Sequence, residues 1–115
     1  ATCEIAVSGW GSGVCACGLR ACEAPVYLAF DIGGLDRAFA PGTGAPVGGG
    51  RASWQGLEFV RGLEPLHLIG MDLVEVAPAY DHAEITAIAA ASIAYDWMAV
   101  VAKQRGAVPR PVGRI

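Results

Sequence analysis

Two carboxylates in this chain stand where apolar runs stop. Asp31 follows the run Val26 to Phe30, and Glu75 lies near the end of the run 66–76, LHLIGMDLVEV. Parallel strands gather their C-terminal ends on one edge of a sheet, so acids at such ends are natural ligands or catalytic groups. Two of them on one rim would form an acidic pocket suited to a hard metal ion or a cationic ligand. Each also has an ordinary role open to it. Asp31 can serve as a capping or turn carboxylate, and Glu75 as a surface acid at a strand end. Asp36 fits better as a loop-fixing acid that bonds to nearby N–H groups. Thr43 reads as a turn hydroxyl that could touch a substrate. His67 falls in an expected strand and His82 in the first turn of an expected helix, and neither has spacing that supports a metal role.

The cysteines offer a competing site. Cys3, Cys15, Cys17 and Cys22 all lie in the first fifth of the chain. Structural zinc prefers paired knuckles with two to four residues between the thiols. Cys15 and Cys17 have one residue between them, so free thiols are the better reading. Reduced thiols place the chain in the cytoplasm. Gly9, Gly11 and Gly13 follow a short strand, but Val14 stands where a dinucleotide-binding GxGxxG loop needs its last Gly. That stretch is expected to be a solvent loop.

The elements that must position the acids can be read from pattern. Residues 26–31 form an apolar run between Pro25 and Gly33, as in a fully buried parallel strand. A second such strand is predicted at 66–76 and a short one at 4–7. Residues 32–50 form a long Pro- and Gly-rich loop of the kind that carries function. A helix is predicted over 52–63, capped by Ser53, with Trp54, Leu57, Val60 and Arg61 on one face. Strand, helix and strand in this length imply a right-handed parallel crossover. A long helix is predicted over 82–104, with Asp81 as its cap and Glu84 completing a capping box. Its expected inner face is Ile85, Ile88, Ala89, Ser92, Tyr95, Ala99 and Ala102. The chain thus divides into a poorly patterned segment 1–24, an α/β domain 25–104 and a basic, Pro-containing tail 105–115.

With these elements in view, the stretch AFDIGGLDRAFAPGTGAPVGGG, residues 29–50, resembles the signature of the ureohydrolases, the arginase and agmatinase family. That signature runs Ser, apolar, Asp, apolar, Asp, three residues, Pro, three residues, Pro, a small residue, seven residues, Gly. Phe30, Asp31, Ile32, Pro41, Gly42 and Gly50 match it. Ala29 stands in place of the Ser, Gly33 in place of the second Asp, and Arg37 in place of the first Pro. GMDLVEVAPAYDHAEITA, residues 70–87, is similar to the family's strand with a substrate-binding Glu and its final helix. PGTG and PAYDHAEIT are closest to the agmatinase branch. The resemblance covers roughly residues 25–102 and implies the C-terminal part of a three-layer α/β/α fold. It implies manganese-dependent hydrolysis of a guanidino C–N bond, as in agmatine to putrescine and urea, at a pair of manganese ions. It makes Asp31 a metal ligand, Gly33 the place of a lost one, Glu75 the partner of the substrate guanidinium and Thr43 a weaker substrate contact. The family's remaining His and Asp ligands lie upstream of the matched region, and residues 1–24 contain neither His nor Asp. Inactivity of this chain by itself is therefore expected, as is a need for other surfaces: a homo-oligomer or a missing N-terminal portion. A remnant that serves only as a binding or assembly partner is the alternative.

Composition narrows the function classes. The chain has 115 residues, 54% hydrophobic and only 17% charged, which suits one domain with a modest core. A net charge of −3 makes nucleic acid a poor partner. Residues 83–102 are apolar enough to suggest a membrane span, but Asp96 well inside them points to the helix of a soluble protein.

Overall fold

The computed structural model describes residues 3–7 and 23–107. The Gly9–Gly13 stretch, Cys15, Cys17, Cys22 and the tail beyond residue 107 lie outside the described residues. Strands β1 (Cys3–Val7), β2 (Val26–Asp31) and β3 (Leu68–Val74) form a parallel sheet in that order. Helix α1 (Ser53–Gly62) connects β2 to β3, and α2 (Ile85–Gln104) follows β3. The architecture is α/β, as expected, and the sheet takes in residues 3–7 as well as the two strands that carry the acids.

β2 is central because its side chains suit burial. Val26, Leu28 and Phe30 alternate along one face and are almost wholly buried. Each such side chain contributes roughly 1.5–3 kcal/mol on leaving water. Val60, Leu63 and Ile93 complete the same core. Gly56 brings α1 close: a Cβ there would lie 3.4 Å from both Phe30 and Leu35 and 3.5 Å from Ile93. Both helices therefore cover the face that Phe30 presents. On the other face Glu4, Ala6, Asp72 and Val74 are exposed and Tyr27 and Ala29 half-buried. Among the described residues no helix covers that face, so these residues supply two of the three expected layers.

β3 is shorter than the predicted 66–76 and contains an irregularity. Val26 pairs with Leu68, but Tyr27 pairs with Gly70, so Ile69 is left over as a bulge. The extra residue keeps Met71 opposite Leu28 and Leu73 opposite Phe30, on the core side. Gly70 is required there, since a Cβ would sit 2.7 Å from the Tyr27 ring. His67 precedes the strand and is exposed.

The helix boundaries agree with expectation to within a residue for α1, but its cap does not. Ala52 holds the N-cap position and Ser53 is the first helical residue; Gln55 Oε1 accepts from the Ala52 N–H at 2.9 Å. Trp54, expected on the inner face, is 57% exposed, because Gly56 and Val60 set that face. α2 starts later than predicted. The chain makes a 3-10 turn at Pro78–Tyr80, then passes through left-handed backbone at Ala83 (φ 50°) and Glu84 (φ 59°). Glu84 makes no side-chain cap bond, so the capping box is not formed. Asp81 does cap: it accepts from the N–H groups of Thr86 and Ala87, each at 3.0 Å.

The inner face of α2 also differs from the expected one. Thr86, Ala90, Ile93, Val100 and Val101 are buried, whereas Ile85, Ile88 and Tyr95 are exposed. Ala89, one of the expected residues, packs partly against the core, as does Trp97. The helix is apolar nearly all round, so periodicity alone could not choose a face. What fixes it is α1: Arg61 Nε donates to Asp96 Oδ2 at 2.7 Å across the two helices. Gln104 Nε2 ties the end of α2 to the carbonyls of Glu64 and Leu66, at 2.7 and 2.5 Å. α2 is long and apolar enough to cross a membrane by length and composition, but its Asp96 is spent on this contact within the fold.

Candidate functional site

Asp31 ends β2 directly beside Val74, its register partner on β3. Glu75 is the next residue. Its backbone is left-handed (φ 70°), a costly conformation for a residue with a side chain, and it turns the chain off the sheet. Asp31 and Glu75 thus share one rim. The turn 42–44 lies against both. Position 33 is bounded by Asp31 and Thr43: a Cβ there would be 3.0 Å from Asp31 Oδ1 and 3.4 Å from Thr43 Oγ1. A Cβ at Gly44, one residue on, would be 3.5 Å from Glu75 Oε2. Thr43 is buried, at 4% exposure, rather than an ordinary solvent-facing turn residue.

The loop that brings Thr43 here is held at two points. Asp36 holds its own half, as its spacing suggested. Its Oδ1 accepts from the Ala38 N–H at 2.8 Å, and its Oδ2 from those of Gly49 and Gly50 at 2.6 and 3.2 Å. Those backbone bonds, from Ala38 and then Gly49, hold the Asp36 carboxyl below its usual value against a partial desolvation. The backbone runs beside itself at Leu35–Arg51 and Asp36–Val47, and Gly50 fits because a Cβ there would be 2.6 Å from the Asp36 nitrogen.

The second point joins the loop to α2. The Gly42 N–H donates to Thr86 Oγ1 at 2.7 Å, and the Gly42 carbonyl accepts from the Ala77 N–H at 2.8 Å. Asp81 presses on the same glycine, whose missing Cβ would be 2.6 Å from the Asp81 Cβ. Desolvation pushes the Asp81 carboxyl up, but hydrogen bonds from Thr86, Ala87 and His82 outweigh it and leave it lowered. Asp81 and Thr86 are thus supports of the rim, which sequence reasoning missed. No local spacing reveals a bond between residues 44 positions apart; only the small residue demanded at position 42 hints at a close neighbour.

Other candidates fall outside the rim. His67 and His82 are exposed and belong to no cluster with Asp31 or Glu75. Cys3 lies in β1.

A model of the arginase family matches residues 15–100. The chain belongs to the arginase family. Agmatinase of Escherichia coli O1:K1 / APEC is 56% identical over 84 residues, which is 73% of this chain and 28% of that protein. Among solved structures, a hypothetical agmatinase from Burkholderia thailandensis superposes with a TM-score of 0.71 at 56% identity, covering 74% of this chain and 27% of that one. A proclavaminate amidino hydrolase from Streptomyces clavuligerus gives 0.74 at 40% identity, over 81% of this chain and 32% of that one. An arginase from Bacillus caldovelox gives 0.66 at 29%, over 71% and 28%. The chain therefore spans about 28% of the length of the curated relatives it matches.

The manganese pair that the family resemblance implies does not fit the residues present. Manganese takes about six oxygen and nitrogen donors. Among the described residues no three His, Cys, Asp or Glu side chains converge where they could hold a metal ion. Gly33 offers no side chain, and one oxygen of Asp31 accepts the Gly33 N–H at 2.7 Å.

Proposed function

We propose that this chain supplies the guanidinium-recognising rim of an agmatinase-like hydrolase and is catalytically silent by itself. Hydrolysis of guanidino compounds is the activity of the arginase family. The observation that carries the reading is the placement of Glu75 beside Asp31 at adjacent parallel strand ends, with Thr43 and Gly44 between them. A carboxylate on a left-handed backbone, aimed over a glycine, leaves room for a planar cation to approach it. A guanidinium can then donate two parallel hydrogen bonds to Glu75. Thr43, largely buried beside the rim, is read as a weaker contact.

The substrate class is a small guanidino compound, with agmatine, releasing putrescine and urea, as the first candidate because agmatinases are the relatives at 56% identity. Manganese belongs to the complete enzyme, and its donors must come from polypeptide that this chain does not supply. Nucleic acid and membrane are not expected partners; a cytoplasmic location and either a homo-oligomer or association with a missing N-terminal portion are.

The test is reconstitution. The chain carrying Gly33→Asp, co-produced with the N-terminal portion of a related agmatinase, is expected to release urea from agmatine. Glu75→Gln in that assembly is expected to abolish it. Urea release that survives Glu75→Gln would refute the assignment of Glu75.

A second reading, a non-catalytic remnant that acts as an assembly partner, has its own observation. Phe39, Leu57, Ile85 and Ile88 line a shallow apolar cavity of about 210 Å³ on the outer side of the helices. It continues past Ile88 towards Tyr95, which is 69% exposed. Loss of self-association or partner capture in Ile88→Lys, with Glu75→Gln neutral, would favour this reading.

A further inference from the structure

The rim holds an acid whose family role the geometry does not support. We infer that Asp31 serves in this chain as the cap of the turn at the end of β2, and that Gly33 favours it. Asp31 sits at the N-cap position of the 3-10 turn Ile32–Gly34 with extended backbone (φ −88°, ψ 118°). Its Oδ1 accepts the Gly33 N–H at 2.7 Å, and the turn closes with the Leu35 N–H on the Ile32 carbonyl at 3.0 Å. An N–H to carboxylate bond of this length is charge-assisted and among the stronger hydrogen bonds a turn can have.

The same space cannot serve two purposes. A Cβ at position 33 would stand 3.0 Å from Asp31 Oδ1, closer than side chains ordinarily sit, and 3.4 Å from Thr43 Oγ1. A longer acidic side chain built on that Cβ would extend into the gap between them. It would crowd Asp31 Oδ1, which would have to give by a few tenths of an ångström, and it would place a like charge beside it. With glycine at 33 the carboxylate folds back onto its own turn. Glycine at 33 therefore does more than omit a donor: it leaves the Asp31 cap uncrowded. Asp31 then fixes the turn against which Thr43 packs, and the rim presents Glu75 as its recognition group. This deepens the reading above and rests on the same rim, but it concerns Asp31 and not the binding of guanidinium by Glu75.

Amide-resolved NMR on the whole chain tests it, with no catalytic readout. The Gly33 N–H is expected to exchange with solvent slowly in the unmodified chain and about tenfold faster in Asp31→Ala, where no acceptor remains. Asp31→Asn, which keeps a side-chain oxygen, is expected to retain most of the protection. Manganese added to millimolar levels is expected to leave the Gly33 amide no more broadened than amides elsewhere on the surface. Should Asp31→Ala not fold, Asp31→Asn and the manganese titration still decide. Saturable broadening of the Gly33 amide ahead of all others, abolished by Asp31→Asn, would overturn the inference. Gly33 exchange as fast as in an unstructured peptide would overturn it too. If instead reconstituted urea release survives Glu75→Gln, the guanidinium reading fails while this one stands.

Discussion

The rim around Asp31 and the outer side of the two helices are built on opposite principles. At the rim and in the loop behind it, named hydrogen bonds hold the backbone. Asp36 accepts three N–H groups, Asp31 one, and Gly42 is held from both sides by Thr86 and Ala77. Its shape is fixed by directional bonds and by glycines that admit no Cβ. The outer helical side carries Trp54, Ile88, Tyr95 and Met98, all more than half exposed. There the only cross-helix bond is the Arg61–Asp96 pair among the described residues. A surface of the first kind is complete within this chain. One of the second kind is apolar surface that the described residues leave open. Directional bonds can thus fix the shape of a rim while apolar surface on the same fold stays open among the described residues.

Substitutions can break this comparison, starting from the core both regions share. Phe30→Ala removes a ring that is 1% exposed at the junction of sheet and helices. It is expected to cost about 3–5 kcal/mol, a large fraction of the roughly 5–15 kcal/mol typical of a folded domain. A strongly lowered unfolding midpoint by circular dichroism is the check. Gly42→Ala is the next largest. Its Cβ would meet Asp81 atoms at 2.6–2.8 Å, so the rim must shift. About 1–3 kcal/mol of destabilisation is expected by denaturant titration.

Acid sharpens the contrast. Asp36 and Asp81 both have lowered carboxyl values in the folded chain relative to the ordinary 3.8. A depressed folded value means the folded state holds the charged form more tightly than the unfolded one does. That stability is fully present above the unfolded value and is lost as pH falls through the folded one. Thermal stability should therefore decline as pH drops below about 4, and Asp36→Asn with Asp81→Asn should flatten that decline. An unchanged acid limb in the double variant would show that the loop bonds are not what fixes the rim.

The smallest effect is expected on the other region. Tyr95→Ser, at a side chain 69% exposed, should change unfolding of the chain by no more than about 0.5 kcal/mol. Ile88→Lys should lower binding of an apolar dye and any self-association measured by sedimentation. Dye binding unaffected by either change would show that the exposed helical side is not the adhesive surface.

Much of this organisation is legible in the sequence. The apolar run 26–30 predicts β2, though as a fully buried strand, whereas its burial alternates; the acids at two strand ends predict a shared rim before any relative is consulted. Asp36 reads correctly as a loop acid because Ala38, two residues on, is a partner; its bonds to Gly49 and Gly50, 13 and 14 residues away, are not legible locally. What is not legible has physical causes. The bulge at Ile69 depends on pairing with Tyr27, a residue over 40 positions away. The start of α2 depends on two left-handed residues, Ala83 and Glu84, that no propensity favours. The buried face of α2 is set by α1, because the helix offers apolar residues on every side. The room that Gly33 leaves beside the Asp31 carboxylate becomes visible only when the space there is measured.

The central claim is that the rim retains the geometry of guanidinium recognition without the metal chemistry of the family. The most direct test is urea release from agmatine by the unmodified chain, stripped of metal and reloaded with manganese. The account predicts none above the uncatalysed rate, and none with Gly33→Asp alone, because the remaining donors are still missing. Manganese-dependent urea release from the unmodified chain would contradict it.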